Sequence, residues 1–248
     1  MTGESLLVAE HVTVEFGGNR ALSEVDLDAR VGEVTGLIGP NGAGKTTLFN
    51  VITGLQQPTS GEVRLDGVAV TRAKRHMRAR LGIARTFQRL EPFGSLTARE
   101  NVLVALEMRR RWATERYDAG AVADELLEQV GITAIANRKV DSLPTGTARL
   151  VELARALGTA PRVLLLDEPS SGLDEDETDA LGELLTVLAG QGLAILLVEH
   201  DMSFVMGTCA YINVLDFGRI IAHGPPATIQ LDPEVQRAYL GTAAGKTA

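Results

Sequence analysis

The sequence lacks the residues on which disulfide-stabilised and cysteine-ligated proteins depend. Its 248 residues include one cysteine, Cys209, so no intramolecular disulfide can form and no cysteine cluster can hold a metal. Such cysteine usage is typical of proteins in a reducing cytosol. We therefore expect a core stabilised by packing alone, and the chain is long enough to bury one.

Long apolar runs and an excess of positive charge are also missing. Every apolar run, including residues 163–166 and 194–198, is far shorter than the roughly 20 residues of a membrane-spanning helix. The N-terminal region carries Glu4, Glu10 and Glu15 and shows no secretory signal. A net charge of −8 opposes nonspecific binding to nucleic acid. We expect a protein that is not exported, has no nucleic-acid partner and meets a membrane only peripherally.

Short β-rich runs recur along the chain, at residues 6–14, 34–38, 163–166, 194–198 and 212–215. The middle three are continuously apolar, which is typical of parallel strands covered on both faces, and helical patterns lie between them. The opening stretches alternate on either side of Gly17 and Gly18, which predicts an antiparallel pair joined by a tight turn. The predicted fold class is α/β, with a mixed sheet core and an N-terminal antiparallel β subdomain.

The middle of the chain has a helical pattern, at residues 102–112, 121–130 and 149–157. We interpret it as an inserted α-helical subdomain at about residues 92–157. The core of the same single domain would then comprise about residues 1–91 and 158–248.

Three features near the C-terminus are interpreted as structural. An acidic start at residues 232–234 predicts a short helix that ends near Gly241. Residues 216–218, Asp-Phe-Gly, imitate a kinase metal motif, but the flanking apolar runs predict a hairpin turn. Residues 245–247 imitate a phosphate loop without the first glycine of that pattern, and we interpret them as tail.

A complete P-loop pattern is formed by Gly39, Pro40, Asn41, Gly42, Ala43, Gly44, Lys45 and Thr46. The apolar strand at residues 34–38 runs into this loop, and a helix predicted at residues 45–53 runs out of it. Glycines let backbone N–H groups approach phosphate oxygens, and the helix N-terminus adds donors and partial positive charge. Lys45 would reach the β- and γ-phosphates, the Thr46 hydroxyl would ligate Mg²⁺, and Thr47 completes the candidate nucleotide site.

A second motif is an apolar strand that ends in two carboxylates, Asp167 and Glu168. Asp167 would hold the hydrated Mg²⁺, and Glu168 would accept a proton from the attacking water as general base. Taken alone, an apolar strand that ends in Asp-Glu is common and is usually just a solvent-exposed strand end. Its occurrence together with a P-loop is what indicates a triphosphate site.

With these motifs, and with Asp174 and His200 downstream, the chain resembles an ABC-transporter nucleotide-binding subunit over nearly its whole length. The resemblance implies a P-loop NTPase fold of ABC type that uses ATP and Mg²⁺. It implies that Gln88 senses Mg²⁺ and the attacking water, and that His200 contacts the γ-phosphate. It also implies that Asp174 lies where the chain crosses a dimer interface. Phe16 would stack under the adenine ring, or it is an ordinary strand-end aromatic.

One segment departs from the pattern of that family. The usual signature, Leu-Ser-Gly-Gly-Gln, corresponds here to Leu143, Pro144, Thr145, Gly146 and Thr147. The family's serine donates to the γ-phosphate of ATP on the opposite subunit, and Pro144 has neither a hydroxyl nor an N–H to offer. Thr145 or Thr147 would replace that donor, or the two threonines would cap the following helix. Without a donor, the ATP site completed by this segment would be slow.

Within the family, the run at residues 84–88 and the ending at residues 232–241 are most similar to ATPase subunits of branched-chain amino acid importers. This resemblance implies transmembrane permease subunits, a second ATPase subunit in a homodimer or heterodimer, and, indirectly, an extracytoplasmic substrate-binding protein. The chain would lie peripherally on the cytoplasmic side of the cell membrane and drive import by ATP hydrolysis.

Two rival functions are considered. A noncatalytic regulator would explain the altered signature, but Glu168 and His200 are intact. Soluble ABC ATPases of DNA repair or translation usually carry coiled-coil insertions or two cassettes, and this sequence shows neither.

The arginines at residues 72–89 and 109–111 form basic stretches on an acidic protein. We interpret most of them as solvated helix faces, some of which would meet membrane subunits or lipid phosphates. Residues 87–94 are the segment that we expect to pass movement to the membrane subunits.

Overall fold

The structure is a computed structural model that describes residues 4–87 and 91–244. Its strands are β1 (Ser5–Phe16), β2 (Asn19–Arg30), β3 (Val34–Ile38), β4 (Ser60–Leu65), β5 (Val68–Ala69), β6 (Ile83–Arg85), β7 (Val163–Asp167), β8 (Ala194–Val198), β9 (Tyr211–Asp216) and β10 (Arg219–Gly224). Its helices are α1 (Lys45–Thr53), α2 (Arg75–Arg80), α3 (Ala98–Arg109), α4 (Ala119–Gln129), α5 (Thr145–Leu157), α6 (Glu175–Gly190), α7 (Met202–Thr208), α8 (Pro226–Leu231) and α9 (Pro233–Ala244).

Ten strands of the described ranges form two sheets. The larger has the order β10-β9-β3-β8-β7-β6 and is parallel except for the β9–β10 hairpin. Every residue of β3, β7 and β8 is buried, as their continuous apolar sequences predict. This mixed sheet confirms the predicted α/β class. Because the carboxyl ends of β3, β7 and β8 lie side by side, the residues that follow them meet at one edge.

The smaller sheet is antiparallel, with the order β2-β1-β4-β5. The pairing of Phe16 with Asn19 confirms the predicted tight turn, in which Gly17 and Gly18 have φ angles of 54° and 91°. Buried side chains of β1 and β2, including Leu7 and Val25, share one core with α1 and the larger sheet. The N-terminal strands therefore support the helix that follows the P-loop.

Helices α3, α4 and α5 lie between β6 and β7 in the chain, where helical spacing was found. Helix α3 begins before the predicted residue 102, because Thr97 and Glu100 form a capping box. Helix α5 begins at Thr145, before the predicted residue 149. The buried faces of the three helices join one core with β7, β8 and α6.

The C-terminal part contains the predicted hairpin turn and the predicted final helix. Phe217 and Gly218, with φ angles of 43° and 75°, connect β9 to β10. Helix α9 follows Asp232, whose carboxylate accepts from the Glu234 and Val235 N–H groups, and it extends beyond Gly241 to Ala244. Within the described ranges, no helix has the length and apolarity needed to cross a membrane.

Candidate functional site

The P-loop lies between β3 and α1 and is closely packed on its inner side. A Cβ atom at Gly39 would overlap the Leu215 carbonyl oxygen, and one at Gly44 would lie 2.7 Å from Leu22 Cδ2. Both glycines also have positive φ angles, of 149° and 114°. Asn41 and Gly42 are exposed, so the loop keeps an open outer side. A side chain at either inner position would displace the loop.

Lys45 is held inside the loop by the loop's own backbone. Its Nζ atom donates to the Gly39 carbonyl at 2.6 Å and to the Pro40 carbonyl at 2.9 Å. Burial lowers the pKa of Lys45, and the nearby carboxylates of Glu168 and Asp167 partly oppose that effect. The side chain thus lies between the P-loop and the carboxylates that follow β7.

The Asp167 carboxylate forms a buried ion pair with Arg85. The Arg85 NH2 group donates to Asp167 Oδ2 at 2.8 Å, and its NH1 group donates to Asn50 Oδ1 at 2.7 Å. The Arg85 and Asp167 side chains are only 5% and 4% exposed. Arg85 also lies against the rings of Phe49 and Phe87, at 5.2 and 4.9 Å. This arginine joins the end of β7 to α1.

Arg78 and Arg85 are exceptions to the expectation that most arginines at residues 72–89 are solvated. Arg78 is buried and donates to the carbonyls of Val51 and Ile52, at 2.6 and 2.7 Å, in the last turn of α1. Helix ends leave carbonyl groups without intrahelical partners, and the guanidinium of Arg78 supplies donors to two of them. The sequence could not show this burial, because the partners of Arg78 and Arg85 lie far from them in the chain.

Glu168 and His200 are brought together by the pairing of β7 with β8. Glu168 has a φ angle of 52°, and its N–H donates to the Val198 carbonyl at 2.8 Å. Its Oε1 atom lies 2.6 Å from His200 Nε2. The contact of His200 with a γ-phosphate stays a prediction.

Glu199 joins the segments that follow β7 and β8, and sequence reasoning missed it. Its buried carboxylate accepts from the Ser170 N–H and hydroxyl, at 2.8 and 2.6 Å, and from the His200 N–H at 2.9 Å. The one sequence signal was a carboxylate directly after a fully apolar strand.

The signature-like segment packs against residues 171–173. Gly146 is buried there, where a Cβ atom would lie 2.6 Å from Leu173 Cδ2, and Arg149 Nε donates to the Ser171 carbonyl at 2.8 Å. Pro144 is the N-cap of α5, and no side chain caps this helix. The capping alternative for Thr145 and Thr147 is therefore wrong, because both lie inside the helix that starts directly after the proline.

The remaining predicted site residues are distributed as follows. Phe16 is about half exposed at the β1–β2 turn. Asp174 caps α6, with its carboxylate accepting from the Glu177 N–H at 2.8 Å. Thr46 is exposed in the first turn of α1, and Thr47 beside it is half-buried. Leu143 packs on the helical core. Gln88 lies outside the described residues.

An apolar cleft of about 450 Å³ lies beside the Asp167–Arg85 pair. Phe87, Phe93, Met108 and Arg85 contribute to its lining. Phe93 and Met108 are exposed, and the Arg155 guanidinium lies 5.6 Å from the Phe93 ring centre. The buried Glu152 carboxylate accepts from the backbone of Phe87 and Glu91, which ties α5 to this segment.

The donor set fits a nucleoside triphosphate and a hard cation. Glycines that admit no Cβ atom, a buried lysine, an exposed hydroxyl and two carboxylates meet at one edge of the sheet. Oxygen ligands of this kind suit Mg²⁺, and a glycine-rich loop that opens a helix suits phosphate.

The chain is similar in sequence to known proteins. Residues 22–171 match the family model described as ABC transporter, and residues 219–245 match one described as branched-chain amino acid ATP-binding cassette transporter. The high-affinity branched-chain amino acid transport ATP-binding protein BraF of Pseudomonas aeruginosa is 40% identical, over 96% of this chain and 98% of its own length. The lipopolysaccharide export system ATP-binding protein LptB of Haemophilus influenzae is 35% identical, over 96% and 98%.

Solved structures agree with these relatives. A crystal structure of a nucleotide-free ATP-binding cassette from an ABC transporter superposes with a TM-score of 0.86 at 30% identity, covering 95% of this chain and 99% of the other. A dimeric ATP-binding cassette bound to ADP and phosphate has a TM-score of 0.80 at 28% identity, covering 89% and 99%.

Proposed function

Because this chain belongs to the ABC transporter family of ATP-binding proteins and is an ATPase with their α/β P-loop fold, we propose that it powers the import of branched-chain or related amino acids. The observation that carries the proposal is the meeting of Lys45, the Asp167–Arg85 pair and the Glu168–His200 pair at one edge of the sheet. The subfamily match at residues 219–245 and the amino acid transport named for BraF support the substrate class.

The described contacts support a division of roles among the site residues. P-loop amides from Gly39 to Thr47 would hold the phosphates, and Lys45 would exchange its contacts with the Gly39 and Pro40 carbonyls for phosphate oxygens. Thr46, Asp167 and Gln88 would hold Mg²⁺, which when bound would supply positive charge to the phosphates. Phe16 would stack on the adenine.

Glu168 is the group best placed to take a proton from the attacking water. It directly follows the metal-binding carboxylate, and His200 holds its Oε1 atom at 2.6 Å. A carboxylate oriented by a neighbouring imidazole needs little reorganisation when water attacks. This intact pair supports catalysis over the alternative of a noncatalytic regulatory subunit.

A second ATPase subunit would complete the site. Each P-loop would face the partner's signature-like segment, Leu143 to Thr147, with Thr145 or Thr147 as hydroxyl donor in place of the family's serine. Thr145 is exposed in the first turn of α5 and Thr147 is half-buried, which favours Thr145. Asp174 would lie near the crossing of the two chains.

Permease subunits would dock at the cytoplasmic side of the membrane. The helical subdomain, about residues 92–157, and the core, about residues 1–91 and 158–248, would border the apolar cleft at Phe87 and Phe93. An extracytoplasmic binding protein would deliver the amino acid to the permeases. The chain itself would not contact the amino acid and would affect its transport only by moving the permease subunits.

The test of this function is ATP turnover by the chain reconstituted with its permease subunits. Glu168→Gln removes the proton acceptor, so we expect turnover to fall by about 10²–10⁴-fold while ATP binding remains. The control is Glu183→Gln, the same change on an exposed face of α6, which should leave turnover unchanged. Full turnover in the Glu168 variant, or none in the reconstituted wild type, would contradict the proposal.

A further inference from the structure

The contact between Glu168 and His200 is not fixed by packing alone. The His200 side chain is 46% exposed, so water covers much of its ring. The Glu168 backbone has a φ angle of 52°, a conformation that persists in a residue with a side chain only where surrounding contacts hold it. The 2.6 Å separation of Glu168 Oε1 from His200 Nε2 therefore depends on hydrogen bonds that hold the two backbones.

One buried carboxylate, that of Glu199, supplies such bonds to both backbones. Its Oε1 atom accepts from the Ser170 N–H at 2.8 Å and from the Ser170 hydroxyl at 2.6 Å, two residues after Glu168. Its Oε2 atom accepts from the His200 N–H at 2.9 Å. Burial of a carboxylate is unfavourable unless it is hydrogen-bonded, and both oxygens of this one have donors. The side chain thus links the segment after β7 to the segment after β8.

Each residue of the catalytic pair has a second anchor close by in the chain. The Glu168 N–H donates to the Val198 carbonyl at 2.8 Å. Asp201, directly after His200, caps α7 by accepting from two backbone N–H groups of its first turn. The two catalytic residues are therefore each held at two points, and Glu199 is the one side chain that provides a point for both.

We propose that Glu199 is a positioning residue for ATP hydrolysis, which sets how Glu168 and His200 face one another by binding the backbone beside each of them. The inference rests on the proposed function, because it concerns the residues that would activate the attacking water. In this role Glu199 acts on the rate of hydrolysis. It leaves the binding of nucleotide by the P-loop unchanged, because Lys45 is held by contacts of the loop itself.

The test is Glu199→Gln in the full chain, reconstituted with its permease subunits. A glutamine side chain has one acceptor oxygen, so its amide nitrogen faces the donors of either Ser170 or His200 and breaks the bond there. We expect the kcat at saturating ATP to fall about tenfold. The Kd for MgADP, measured by calorimetry, should change less than about twofold.

Glu100→Gln is the matched control. The Glu100 carboxylate accepts from the N–H and the hydroxyl of Thr97, at 2.8 and 3.0 Å, which are the same two kinds of donor that Ser170 offers to Glu199. It belongs to the capping box of α3 and not to the segments that follow β7 and β8. This variant should keep the kcat of the wild type. An equal fall in both variants would show a general effect of lost carboxylates and overturn the inference.

Ser170→Ala tests the same link with the carboxylate intact, and it replaces Glu199→Gln if that variant does not fold. It removes one of the three donors, so we expect the kcat to fall about threefold. Ser5→Ala is its control, because the Ser5 hydroxyl also donates to a carboxylate, that of Asp28 at 2.7 Å, and this variant should keep full turnover. Unchanged turnover in the folded glutamine variant, or in Ser170→Ala where it stands in, overturns the inference.

Hydrogen exchange at the Ser170 and His200 amides reports the link directly. Both amides should be protected in the wild type, and at least one should exchange faster in Glu199→Gln. Faster exchange or a lower Tm with an unchanged kcat would make the role of Glu199 purely structural and overturn the inference. A rise in Kd as large as the fall in kcat would show distortion of the whole nucleotide site and equally overturn it. A reconstituted wild type that turns over no ATP contradicts the proposed function instead.

Discussion

At the scale of single residues, the Arg85–Asp167 pair joins the carboxylate proposed to hold Mg²⁺ to a guanidinium that is almost wholly buried. Both side chains are removed from water and are also hydrogen-bonded, Arg85 to Asn50 as well as to Asp167. Removing one member of such a pair leaves the other as an uncompensated buried charge. The Arg162–Asp66 pair has the same 2.8 Å separation with side chains 49% and 60% exposed.

This contrast gives a stability prediction. Arg85→Met should lower the free energy of unfolding by about 3–5 kcal/mol. Arg162→Met, the matched change at the surface, should lower it by less than about 1 kcal/mol, because solvent screens the exposed pair. Urea unfolding of both variants measures the difference. Equal losses would mean that burial does not decide the strength of these pairs.

Some of the site residues could be found from the sequence, and others could not. Lys45, Asp167 and Glu168 lie in patterns whose spacing carries their chemistry, so the sequence alone could single them out as candidates. Arg85 acts through Asp167, which is far away in the chain and is brought close only by the strand order. No local pattern distinguishes Arg85 from its solvated neighbours.

At the scale of elements, the fully buried strands were the easiest to predict. β3, β7 and β8 are apolar at nearly every position because both faces of the sheet are covered. β6 has three residues and β5 has two, too few to produce a period. The start of α5 was missed because Pro144 and Gly146 resemble a turn. The helix has a glycine at position 146 because Leu173 packs so closely there that a Cβ atom would lie 2.6 Å from its Cδ2 atom.

The first turn of α6 provides an element-scale prediction. Asp174 caps this helix, so Asp174→Ala should lower the free energy of unfolding by about 1 kcal/mol. Asp174→Asn keeps a capping oxygen and should stay within about 0.5 kcal/mol of the wild type.

ATPase assays of the same two variants separate capping from a role at the dimer interface. We expect Asp174→Asn to lose turnover severalfold despite its stability, because the carboxylate charge would act at the proposed crossing of the two chains. If the asparagine variant keeps full turnover, Asp174 serves α6 alone.

At the scale of the whole molecule, the apolar cleft connects the surface to the catalytic edge. Phe93 lies at its exposed side, Phe87 and Arg85 lie deeper, and Arg85 contacts Asp167. Asn101 fixes the Phe93 backbone from α3 through both its N–H and its carbonyl, at 2.8 and 3.0 Å. A displacement of the cleft lining would therefore reach Arg85, which holds the Asp167 carboxylate.

Phe93→Asp tests this connection. The charge should disrupt an apolar contact with the permease, so transport by the reconstituted complex should fall at least about tenfold. Basal ATP hydrolysis by the chain without permeases should stay within about twofold. Val187→Asp, at an exposed apolar position on α6, is the control and should preserve transport. Equal transport in the two variants would exclude Phe93 from the coupling surface.

The central position of β3 has a consequence for biosynthesis. β3 and its loop leave the ribosome early, but the strands on both sides of β3, β8 and β9, are among the last to be made. Parallel pairing over such long stretches of chain is slow to form. A prematurely terminated polypeptide would carry the whole phosphate-binding sequence without either flanking strand. Unfinished copies would thus be unable to bind nucleotide.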